Sequence, residues 1–123
     1  LKKLYQNLSS RYYPIVNNLY FYDWESDVLA INKDSMFATE YEIKVSRNDF
    51  KADFNKIEKH RILSDCYKYK FSSDIPNYFY YVTTVGLLSK HEIPEYAGLM
   101  EAGISLKIKK RAPIIHKDWQ NNK

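Results

Sequence analysis

The chain has 123 residues, 45% of them apolar, with 12 Tyr, only 3 Gly, a single cysteine (Cys66) and a formal net charge of +4. That length suits one domain, spanning residues 1–123, which would bury roughly two thirds of the surface its unfolded chain exposes. One cysteine excludes an intramolecular disulfide and any Cys-x-x-Cys metal site and favours a reducing compartment; no apolar run approaches the ~20 residues of a membrane span, so a cytoplasmic protein away from the membrane is expected.

In chain order, Leu1, Leu4, Tyr5, Leu8 and Tyr12 fall at helical spacing, and Pro14 ends that run. Leu19 to Tyr22 reads as a first strand. A second strand, Asp27 to Ile31, is followed by a turn at Asn32-Lys33-Asp34-Ser35 and a third strand from about Met36 to Val45. Ser46-Arg47-Asn48-Asp49 has the form of a capping box, and Phe50, Phe54 and Ile57 then mark a helix to about His60. Arg61 to Asp74 lacks clear periodicity and reads as a loop or short irregular helix. Tyr78 to Thr83 is a near-continuous aromatic and β-branched run, expected to be a central strand covered on both faces.

A short helix is expected over Val85 to Lys90, a short strand over Tyr96 to Ala102, and a turn at Gly103. Ile104, Leu106 and Ile108 alternate with Ser105, Lys107 and Lys109, as in a half-buried strand with a basic outer face. Pro113 opens a last helix that fades after Trp119. This order describes a mixed α/β domain, a small sheet flanked by helices. Charge is concentrated at the end: residues 103–123 hold six Lys or Arg against one acid, net +5, whereas the remainder holds thirteen against fourteen, net −1. Lys107, Lys109, Lys110 and Arg111 suit either phosphate gripping or protection of an exposed strand edge.

The chemistry centres on Glu40-Tyr41-Glu42-Ile43-Lys44. In a strand, Glu40, Glu42 and Lys44 share one face, and Tyr41 and Ile43 turn into the core on the other. Two adjacent carboxylates repel, so a fold gains no stability from such a row. The tight turn folds the strand beside Asp27, which then approaches Glu42 closely enough for one metal ion to bridge them. About one Glu-x-Lys is expected by chance in a chain of this composition, so the spacing alone also fits a strand-initiating Asp27 and a solvent-facing Glu42 paired with Lys44. Glu40 reads equally as a further ligand or as an exposed partner for a lysine on the sheet face, and Asp49 as a capping acid. His60 and His116 lack ligand spacing and read as surface residues near helix ends. Cys66 reads as an inert buried thiol, and the Tyr78 to Tyr81 run as core.

Asp27 and Glu42-Ile43-Lys44 on successive strands, followed by a helix and a further strand, resemble the PD-(D/E)XK nuclease superfamily. The run from Glu40 to Phe50, with Lys59-His60, Tyr78 to Val82, Pro94 to Leu99 and Arg111-Ala112-Pro113, is similar to a small bacterial and phage branch associated with DNA repair. The resemblance covers roughly residues 25 to 118. It implies a restriction-endonuclease-like core and a metal-dependent nuclease that hydrolyses DNA phosphodiester bonds in DNA repair or phage DNA processing. Asp27, Glu42 and the Ile43 backbone carbonyl would hold Mg²⁺ or Mn²⁺, and Lys44 would handle the attacking water. The partner would be DNA and the setting a bacterial or phage-infected cytoplasm; the oligomeric state, a homodimer included, stays open. Ser26 stands where the motif has proline, and no acid precedes Asp23, so the first-helix Glu of many members is absent. The alternative is a non-catalytic DNA-binding or virion-associated protein that keeps the nuclease fold.

Overall fold

The period-two pattern around Asp27 to Ile31 and Thr39 to Ile43 becomes two adjacent strands in a computed structural model that describes residues 16–20, 25–69 and 75–117. The strands are β1 (Val16–Tyr20), β2 (Glu25–Ile31), β3 (Ala38–Ile43), β4 (Tyr78–Thr83), β5 (Gly98–Ala102) and β6 (Leu106–Lys110); the helices are α1 (Arg47–Asp53) and α2 (Ile57–Tyr69), with a 3-10 turn at Lys90–Glu92. All six strands form one mixed sheet in chain order. The pairs β1–β2, β2–β3 and β5–β6 are antiparallel, whereas β3–β4 and β4–β5 are parallel. A parallel neighbour demands a crossover; α1 and α2 supply the first, and the 84–97 segment with its 3-10 turn supplies the second. The Tyr78 to Thr83 run is accordingly the inner strand expected, between β3 and β5.

The turn after β2 is set by Asn32, whose Oδ1 accepts from the Asp34 and Ser35 amides at 2.9 and 3.0 Å, with Met36 in the left-handed region at φ 62°. Alternation then sorts side chains onto two faces. Leu29, Ala38, Phe79, Tyr81 and Leu99 pack beneath Phe50 of α1, Leu63 and Cys66 of α2, and Leu88, Ile93 and Tyr96 of the second crossover. Val28, Ala30, Tyr41, Tyr80, Val82 and Met100 form a second cluster on the opposite face with Ala112. Each large apolar side chain buried this way contributes about 1.5–3 kcal/mol.

Several local expectations are corrected. The helix expected from Ser46 to His60 is two helices: Phe54, Asn55 and Lys56 donate to carbonyls three residues back and end α1. Arg61 to Tyr69, expected as a loop or irregular helix, continues α2, whose inward stripe is Lys59, Leu63 and Cys66. No helix forms over Val85 to Lys90, because Gly86 takes φ 79°. No helix opens at Pro113 over 113–117 either. There the chain is held extended by hydrogen bonds from Ile115 N to Asn77 O (2.7 Å) and from Asn77 Nδ2 to His116 O (2.9 Å). His116 is buried, its Nε2 donating to Ile75 O at 2.8 Å, and is no surface residue. Ile104 is fully exposed and Ile108 exposed, so only Leu106 of that alternation packs inward. The helix expected over Leu1 to Tyr13, Phe21-Tyr22 of the first strand and Trp119 lie outside the described residues. Among those described, no helix is long and apolar enough to cross a membrane.

At Gly98 of β5 there is no room for a side chain. A Cβ there would sit 2.4 Å from the Tyr80 ring and 2.6 Å from the Ala112 backbone nitrogen, which itself donates to Tyr80 Oη at 3.1 Å. Gly98→Ala should therefore displace the ring, weaken that bond and lower stability by about 1–3 kcal/mol in urea denaturation. An unchanged midpoint would show that the strand relaxes freely at this point.

Candidate metal centre

The β2–β3 register pairs Val28 with Tyr41 and Leu29 with Glu40, which sets Asp27 opposite Glu42. Asp27 Oδ2 accepts from the Ile43 backbone N–H at 2.9 Å, which ties the Asp27 carboxylate to β3. Asp27 and Glu42 lie near enough for each charge to disfavour the other. Glu42 and Lys44 are buried at 2% and 7% exposure, and Asp27 is half-buried. Asp27 holds its proton above the ordinary aspartate range, first because burial disfavours its charge and then because Glu42 lies beside it; the Ile43 amide and Lys44 act in the opposite sense. The sequence-derived trio of Asp27, Glu42 and Lys44 thus converges on the helix-covered face of the sheet.

Around them the protein builds a larger polar network. Lys44 Nζ lies 3.3 Å from Asp53 Oδ1, 3.6 Å from Glu42 Oε2 and 3.9 Å from Asp49 Oδ1. Lys59, 3% exposed, reaches down from α2 to Glu40 at 2.9 Å and Glu42 at 3.0 Å, with its Nζ 4.8 Å from the Phe79 ring centre. Burial alone would lower the proton affinity of Lys59, but Glu40, Glu42 and Asp53 outweigh it and hold the ammonium above its ordinary range. Asp53 Oδ2 accepts from Tyr81 Oη at 2.8 Å and from His60 Nε2 at 2.7 Å, and His60 Nδ1 meets the Tyr96 hydroxyl. With Nε2 donating to the carboxylate, Nδ1 of a neutral ring accepts from Tyr96. Asp53 Oδ1 makes no well-aligned hydrogen bond but faces both Lys44 and Lys56, the latter at 3.4 Å. Despite full burial of its side chain, Asp53 is held far below the ordinary carboxylate range by His60, Lys59, Lys44 and Tyr81.

The sequence reading missed Asp53, Lys59, His60, Tyr81 and Tyr96 as members of the network. A signal existed: Lys59 falls four residues before Leu63 and seven before Cys66, so a lysine occupies the inward stripe of α2. His60 is a network residue, in place of the surface position expected. Glu40 partners a lysine, Lys59, but is fully buried in place of the exposed position expected, because α2 covers this face of the sheet. Asp49 does stand at the helix cap: its amide donates to Ser46 Oγ at 3.0 Å and its carboxylate accepts from Val45 N at 3.2 Å. Cys66 is buried, as expected.

Among the described residues no three His, Cys, Asp or Glu side chains converge as a metal site, so the available donors are the two carboxylates. Two suffice for Mg²⁺, which keeps several waters and takes phosphate oxygens as further ligands. In an extended strand the N–H and C=O of a residue point to the same flank, so the Ile43 carbonyl lies on the flank where its N–H meets Asp27. The basic stretch is split. Lys107, Lys109 and Arg111 are exposed, whereas Lys110 Nζ donates to the Pro94 and Ala97 carbonyls at 2.8 and 2.6 Å and anchors the second crossover.

No family model matches the chain, and no curated protein matches it. Among solved structures the fold is similar to that of a protein of unknown function from Silicibacter pomeroyi, with a TM-score of 0.65 over 92% of this chain and 68% of the other, at 17% identity. That likeness establishes a shared fold: a small α/β architecture with a mixed sheet and two helices.

Asp27 supplies a pH test. A carboxyl whose folded-state pKa is raised adds stability below its unfolded value, and that contribution is lost as pH rises through the folded value. Asp27→Asn keeps an oxygen for the Ile43 amide but removes the charge beside Glu42. The variant should unfold at higher urea than wild type at pH 7, and the gain should shrink toward pH 3. Equal or lower stability at pH 7 would mean that Asp27 and Glu42 do not repel.

Proposed function

We propose that the chain is a metal-dependent nuclease with a restriction-endonuclease-like core, hydrolysing DNA phosphodiester bonds in DNA repair or phage DNA processing. One observation carries this reading: Asp27 and Glu42 meet across β2 and β3, with the Lys44 ammonium on the same face of the sheet. A divalent cation bound there would supply Lewis acidity toward a phosphate oxygen and lower the pKa of a water. Asp27 and Glu42, with the Ile43 carbonyl on their flank, would hold it. Lys44, fixed by Asp53 and Glu42, would set its side chain beside the site, where charge builds on the phosphoryl oxygens during attack. The exposed Lys107, Lys109 and Arg111 would engage phosphates away from the reacting bond.

The second reading, a non-catalytic DNA-binding or virion-associated protein with this fold, draws on one feature. Lys44 is surrounded by three carboxylates, Glu42, Asp49 and Asp53, as a purely structural ion-pair network would have it.

Plasmid nicking in Mg²⁺ or Mn²⁺, set beside gel-shift titration in Ca²⁺, separates the two. Lys44→Ala should reduce nicking by orders of magnitude with little change in DNA affinity, because a group acting in the transition state affects turnover more than ground-state binding. Glu42→Ala should lose metal binding as well. Equal nicking by all three proteins, or nicking without metal, would favour the non-catalytic reading.

Salt dependence tests the basic strand. Neutralising Lys107 and Lys109 together should flatten the slope of log affinity against log salt by about two units. An unchanged slope would assign both lysines to guarding the β6 edge.

A further inference from the structure

Glu40 is the one acid of the β3 face that the proposed metal site leaves unused. It points into the interior two residues from Glu42, is fully buried, and shares the Lys59 ammonium with Glu42, at 2.9 and 3.0 Å. Burying a carboxylate is costly, and a single carboxylate would be enough to partner one lysine. The arrangement acquires a reason once charge is counted over the three groups. Glu42 with Lys59 alone is neutral and would attract a cation weakly. Glu40, Glu42 and Lys59 together carry net −1, and the Lys44 ammonium 3.6 Å from Glu42 is offset by Asp53 at 3.3 Å.

We propose that Glu40 is a positioning residue for the metal centre: by engaging Lys59 it offsets the ammonium, so that Glu42 retains the negative charge that holds a divalent cation. This rests on the reading of Asp27 and Glu42 as metal ligands, and it adds a function for two residues that touch neither metal nor substrate. Residues two apart on a strand face are separated by about 7 Å. A unit charge at that distance, in the effective dielectric of a protein interior, alters cation affinity by tenfold or more.

The account predicts effects of opposite sign. Glu40→Gln keeps the shape and an oxygen for Lys59 but makes the trio neutral, so Mn²⁺ should bind at least about tenfold more weakly. Lys59→Met leaves the two carboxylates at net −2, and Mn²⁺ should bind more tightly and raise the melting temperature more than in wild type. The double variant returns the trio to −1 and should recover affinity close to wild type. Residues that merely supported the fold would weaken binding singly and weaken it further together.

The measurement is Mn²⁺ affinity by electron paramagnetic resonance of the free ion, with Mn²⁺ as the only added ligand and melting curves taken with and without it; Glu42→Gln serves as the control that abolishes binding. Should one single variant fail to fold, the other, with its opposite expected sign, decides the matter. Wild-type binding that depends on Glu42 but is indifferent to Glu40→Gln and Lys59→Met would overturn the role of Glu40 and leave the metal site standing. Absence of Glu42-dependent Mn²⁺ binding in wild type would overturn both.

Discussion

The constraint on which the structure turns is the burial of Lys59 between Glu40 and Glu42. An ammonium moved out of water costs several kcal/mol unless charge and hydrogen bonds meet it, and here two carboxylates and the Phe79 ring do so. The geometry leaves α2 little freedom. Its lysine must descend onto β3 while Leu63 and Cys66, on the same stripe, seal the apolar surface over Phe79 and Tyr81. The crossover from β3 to β4 is therefore fastened by charge at one end of the helix and by apolar packing further along it. Apolar residues of similar volume would serve stability as well or better.

The charges on this face are graded with depth. The deep part of the network is matched in charge: Asp53 gathers His60, Tyr81, Lys44 and Lys56, and Glu40 meets Lys59. The outer part is less well compensated. Asp27 is half-buried beside a second carboxyl, with a backbone amide on one oxygen, and the protein tolerates the raised proton affinity that results. Shifts of this kind occur at functional sites and in structural ion-pair networks alike. The network extends through His60 to Tyr96 on the second crossover, so the segment that leads into β5 is coupled to the same hub.

Much of the local architecture could be read from the chain because the signals were local. Strands β2, β3 and β4 follow from alternation and β-branched runs, the Asn32 turn from its side-chain chemistry, and the α1 cap from Ser46 and Asp49. The convergence of Asp27, Glu42 and Lys44 followed from period two and one short turn. What could not be read was tertiary. Helix α2 was not legible as one element because Arg61 to Tyr69 offers only Leu63 and Cys66 as fully inward positions, and the third, Lys59, is made tenable by the carboxylates of β3. The break between α1 and α2 is fixed by Asp53 bonding to Tyr81, 28 residues away, and the stretch after Ala112 is kept from helix by Asn77 and Ile75, about 40 residues earlier. Lys110 resembled its basic neighbours in sequence, yet it closes a loop, because that role depends on where the second crossover passes.

The central claim is that Asp27 and Glu42 together form a divalent-cation site. It is tested most directly by anomalous diffraction from crystals equilibrated with Mn²⁺. The account predicts a single strong peak between the Asp27 and Glu42 carboxylates, on the flank of the Ile43 carbonyl, which disappears in Glu42→Gln. A fully occupied Mn²⁺ elsewhere with none at this position, or a peak that survives the substitution unchanged, would contradict it.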